Sequence, residues 1–110
     1  MAIPHPRSGQ VVDILSSDGS LPSELSYAVF KSDQLEVMRL VLPAGKAFPP
    51  HSVAGEITVQ CLAGRVELDV DGARQVLRAG QLMYLDAGVQ HGLVGLDDAT
   101  VLVTIVLCKP

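Results

Sequence analysis

The chain has 110 residues, enough for one domain with a single hydrophobic core. Hydrophobic residues make up 48% of it and only 4% are aromatic, with no Trp, so the core must be built from Val, Leu, Ile and Ala, and disorder is excluded. The formal net charge of −4 comes with no basic run, which leaves nucleic-acid binding without an electrostatic footprint.

In chain order, residues 1–9 are rich in proline and polar groups and are expected to be loose or to lie over a neighbour. They lack the charged-then-apolar layout of a signal peptide. Val11–Leu15 is a short apolar run that ends at the loop Ser16–Ser20. A second apolar run, Tyr27–Phe30, follows Pro22. Residues 35–42 form a strand with apolar residues on both faces, so both should be covered, by a second sheet or a second subunit. Arg39 is its one cation, expected to reach an edge or to pair with an acid.

The middle of the chain alternates clearly. Ile57, Val59 and Cys61 share one parity while Glu56, Thr58 and Gln60 share the other. Beyond Gly64, Val66, Leu68 and Val70 alternate with Arg65, Glu67 and Asp69. Asp71-Gly72 predicts a tight hairpin turn. Val76-Leu77, Leu82–Leu85 and residues 99–107 complete the strands, with turns at Arg78–Gly80 and Asp86–Gly88. Many short strands, regular turns and no helical period predict an all-β sandwich or barrel. The longest apolar stretch, Val101–Cys108, is too short to cross a bilayer, and the chain is expected to be soluble and cytoplasmic. Cys61 and Cys108, with no local partner, are expected to be small buried hydrophobes rather than a disulfide.

Two glycine-framed segments carry the chemistry. The first reads Gly45-x5-His51-x-Val53-x3-Ile57-x6-Gly64; the second reads Gly80-x5-Asp86-Ala87-Gly88-x2-His91-x3-Gly95. Together they resemble the paired motifs of the cupin family, G-x5-H-x-H-x3-E-x6-G and G-x5-P-x-G-x2-H-x3-N. The resemblance covers roughly residues 35–107. It implies a cupin-type jelly-roll barrel over residues 35–110, with residues 1–34 as an N-terminal segment whose short strands pack on the barrel or on a dimer partner.

It also implies that His51 and His91 occupy metal-ligand positions and meet across the lumen. Val53 and Ile57 stand where the family has a second histidine and a glutamate, and neither can ligate. Asp86 replaces a proline as a turn residue, and Gly95 replaces an asparagine. Glu56 is one residue from the glutamate position, but alternation places it on the outer face unless a bulge reverses it. The reading is therefore a reduced two-histidine site for a divalent transition metal (zinc, nickel, copper or iron). The site lies in a pocket lined by Val53, Ile57 and Val59 that takes a partly apolar small molecule. Dioxygenase-like or isomerase-like chemistry is what the resemblance implies for an enzyme; a metal-poor binding or sensing module is the rival. The two imidazoles could alternatively serve as general acid and base, or be no more than satisfied pocket residues. The spare apolar surface argues for a homodimer.

Overall fold

The computed structural model describes residues 6–14 and 26–107. His5, Leu15, the Ser16–Ser20 loop, Pro22 and Cys108 lie outside the described residues. Nine strands account for all regular structure there: β1 (Tyr27–Lys31), β2 (Leu35–Leu42), β3 (Ala47–His51), β4 (Ile57–Ala63), β5 (Arg65–Val70), β6 (Ala73–Arg78), β7 (Leu82–Leu85), β8 (His91–Gly95) and β9 (Ala99–Val106). No helix among the described residues is long and apolar enough to cross a membrane.

The strands form two antiparallel sheets facing each other, in the orders β1-β2-β9-β4-β7 and β3-β8-β5-β6. This is a jelly roll, and the alternation in the sequence decides which rows turn inward. Met38, Leu40 and Leu42 of β2 pair with Val103, Val101 and Ala99 of β9, and Val103 and Val101 pair in turn with Val59 and Cys61 of β4. Directly opposed residues share a face, so one continuous apolar row crosses the larger sheet. Val66 and Leu68 face it from β5, and with Leu42, Val59, Cys61 and Val101 they are the largest fully buried side chains.

Asp71 and Gly72 form the predicted turn between β5 and β6, both with positive φ (49° and 87°), as a two-residue hairpin requires. Arg39 is 5% exposed. Its Nε donates to the Ile14 carbonyl at 3.2 Å, and its guanidinium lies 5.9 Å from the centre of the Tyr27 ring on the edge strand β1. The run Val11–Ile14 forms no strand of its own.

Two strands have no counterpart among the sequence-predicted elements. β3 contains Pro49 and Pro50, and β8 contains Gly92 and Gly95, residue types that normally argue against a strand. β3 is tolerated because it is an edge strand, where a missing N–H need not break the sheet. At Gly95 an added Cβ would stand 2.7 Å from the Leu42 carbonyl oxygen and 2.9 Å from that of Pro43. Glycine there is set by backbone approach, and an asparagine would require the neighbouring turn to move.

Candidate functional site

The site starts with an irregularity. In the β3–β8 pair Phe48 opposes Leu93 and His51 opposes His91, so two residues of β3 (Pro49 and Pro50) stand against Gly92 alone. This is a one-residue bulge. Phe48 and His51 have opposite parity, and in a regular strand one of them would face outward. The bulge brings both onto the inner face, where both line the same cavity. Gly92 makes room for it, since an added Cβ would meet the Phe48 oxygen and the Pro50 nitrogen, each at 3.2 Å.

The two imidazoles consequently stand side by side on neighbouring strands of one sheet, rather than meeting across the lumen as expected. Their ring centroids are 4.6 Å apart, with the planes tilted by 52°. His91 is 3% exposed, while His51 is exposed. Nδ1 of His91 lies 3.0 Å from the Val89 carbonyl, and Nδ1 of His51 lies 3.4 Å from the Pro49 carbonyl. A carbonyl only accepts, so Nδ1 is the donor in each ring, and the Nε2 lone pairs are left to bind something else.

The cavity they line has a volume of about 190 Å³. Val53, Ile57 and Val59 line it, together with Met38, Leu40, Phe48, Leu93, Val103 and Ile105. Most of these additional residues could have been found by carrying the inner parity of β4 across to β2 and β9. Phe48 could not, because only the bulge turns it inward.

Glu56 does not enter the cavity. It is exposed, and its Oε2 accepts a hydrogen bond from the Tyr84 hydroxyl, which also lies 2.9 Å from Oδ1 of Asp86. Asp86 is thus more than a turn residue, because Tyr84 joins it to the opposite loop. Hydrogen bonding to Glu56, and then to Asp86, holds the Tyr84 phenol well above its ordinary value. Gly88 N donates to the Val53 carbonyl at 3.0 Å, so the loops leading from His51 and into His91 are tied together twice. No group of three or more His, Cys, Asp or Glu side chains suited to a metal occurs among the described residues.

The model for the cupin domain matches residues 38–107. The chain belongs to the cupin family. This cupin has no match among curated proteins. Its fold is shared with a conserved protein of unknown function from Streptococcus pyogenes, at 21% identity and a TM-score of 0.78, covering 100% of this chain and 97% of that one. An RmlC-like cupin from Desulfovibrio desulfuricans aligns over 93% of this chain and 97% of its own, at 26% identity and a TM-score of 0.71. The DMSP lyase DddQ of Ruegeria pomeroyi aligns over 76% of this chain but only 46% of its own, at 25% identity and a TM-score of 0.67.

As a donor set, two imidazoles with free Nε2 atoms suit zinc, nickel, copper or iron, but they supply one ligand fewer than the usual catalytic site. Water or a bound ligand would have to complete the coordination.

Proposed function

We propose that this cupin binds a small, partly apolar molecule in its barrel, next to a divalent transition metal held by His51 and His91. The observation that carries the reading is the bulge-enforced pairing of the two rings at 4.6 Å on the wall of one cavity. The Val89 carbonyl fixes the His91 tautomer so that Nε2 can ligate, the kind of outer support that metal-bound imidazoles commonly have. Val53, Ile57 and Val59 exclude water and favour an apolar ligand body. When bound, the metal would polarise an oxygen of the ligand as a Lewis acid. Dioxygenase-like or isomerase-like chemistry is the enzymatic form of the proposal, and the likeness to a lyase supports a catalytic use of the barrel.

The second reading, a metal-poor binding or sensing module, is favoured by a specific observation: Val53 and Ile57 face the cavity from two family ligand positions, and neither Glu56 nor any other described carboxylate replaces them. We further propose that the protein works as a homodimer in the cytoplasm.

Metal analysis of protein purified without a histidine tag tests the site. About one equivalent of transition metal in the native protein, lost from a His51→Ala, His91→Ala double variant that keeps its melting temperature, is the expected result. Metal-free native protein that cannot be loaded with zinc or nickel would overturn the metal site and leave the binding module.

A further inference from the structure

A second, wider space of about 370 Å³ lies on the other side of Val53 and Ile105, which line both it and the imidazole-lined chamber. Two charged side chains line this second space, Lys31 and Glu36. Register places them there. Glu36 opposes Ile105 in the β2–β9 pair and continues the inner row of Met38 and Leu40, both of which line the chamber. Lys31 opposes Glu36 in the β1–β2 pair and therefore shares its face. Among the described residues neither makes an ion pair, so both keep their charge available to a third group.

A molecule filling both spaces needs an apolar tail and a polar head that meets one cation and one anion together. A head with a single charge would satisfy one of the two and oppose the other, which costs affinity. The tail is bounded by volume: a cavity of about 150 Å³ lined by aliphatic and aromatic side chains is large enough for benzene, and the chamber here is about 190 Å³.

We propose that the ligand is a zwitterion with an apolar tail, specifically an α-amino acid bearing a branched aliphatic or benzyl side chain. Its carboxylate meets Lys31, its ammonium meets Glu36, and its tail enters the chamber beside His51 and His91. The inference rests on the chamber's being a ligand site, as proposed above, but does not depend on the metal.

Calorimetric titration of metal-stripped full-length protein tests it, using L-leucine, L-phenylalanine, 4-methylpentanoate, 3-methylbutylamine and glycine as probes. Leucine or phenylalanine should bind at least about tenfold more tightly than either singly charged probe, and glycine, with no tail, should not bind measurably. Lys31→Met should weaken leucine and 4-methylpentanoate by about fivefold and strengthen the amine, whose opposing charge it removes; Glu36→Gln should weaken leucine and the amine and strengthen the carboxylate for the same reason. Both residues lie at the rim, so unchanged melting temperatures are expected for the variants. Equal affinity for 4-methylpentanoate and leucine, leucine binding unmoved in both variants, or no binding of either amino acid would overturn the proposal. The two readings fail separately. Metal-free protein that binds leucine sinks only the metal site, whereas metal-loaded protein that ignores amino acids sinks only the ligand class.

Discussion

Gly92 lies between His91 and Leu93 on β8, and the absence of a side chain there is what lets the Pro49-Pro50 bulge approach. The positive-φ glycines at the turns serve backbone conformation; Gly92 serves proximity. Gly92→Ala forces the Phe48 carbonyl or Pro50 to move by a few tenths of an ångström. We expect a loss of about 1–3 kcal/mol in stability from overpacking, read from urea midpoints. The same substitution should weaken the nuclear Overhauser contact between the two imidazole rings, because the bulge carries His51. A variant that is destabilised but keeps that contact would show that Gly92 supports the sheet without positioning the histidine.

Cys61 behaves as a buried apolar residue with a weak donor. It is fully buried, and its Sγ lies 3.4 Å from the carbonyls of Ala63 and Gly64. Burial pushes its thiol up, away from the reactive thiolate. In a Cys108→Ser background, Cys61 should react with a thiol reagent only at the rate of unfolding. Fast modification of native protein would contradict the closed packing of β4 against β9.

Among the elements, the outer connection between the two motif loops has a testable energetic signature. Tyr84 on β7 links Glu56, just before β4, to Asp86, just after β7. The hydroxyl hydrogen bonds raise the phenol above its unfolded value of about 10. The protonated phenol is therefore favoured by folding. That contribution is fully present below about pH 10 and is lost as pH rises from there through the raised folded value. Tyr84→Phe removes it. The native protein should exceed the variant in stability by a constant margin through neutral pH, with the margin shrinking above about pH 10. Urea denaturation at pH 8 and pH 11 checks the sign, and an equal margin at both would rule out the hydrogen-bonded phenol as its source. Amide exchange at Gly88, whose N–H is held by Val53, should also quicken in the variant if the two ties act together.

For the whole molecule, the outer face of the five-stranded sheet is the surface with an unmet physical need. Leu82 and Tyr84 on β7 are 56% and 52% exposed, and Leu35 and Val106, paired across β2 and β9, are 39% and 40% exposed. Exposed apolar surface gathered on one sheet is what a subunit contact covers. A homodimer through this face should give twice the chain mass by light scattering, and Leu82→Glu should shift it to monomer while the fold is retained. Monomeric native protein at millimolar concentration would remove the dimer from the proposal.

The alternation from Glu56 to Val70, the Asp71-Gly72 turn and the two glycine-framed motifs made the all-β barrel readable in the sequence, because side-chain direction in a strand follows parity alone. Parity also put Glu56 outside, where it is found bonded to Tyr84. It failed at β3. There a bulge breaks the alternation, and whether a bulge forms depends on what the neighbouring strand permits, here the bare backbone at Gly92. Spacing therefore nominated His51 and His91, but only the packing of β3 on β8 put the rings side by side on one wall. The charges of the second space were equally hidden, because Lys31 and Glu36 come to line it through the pairing of β1, β2 and β9, and such long-range registry leaves no local mark in the chain.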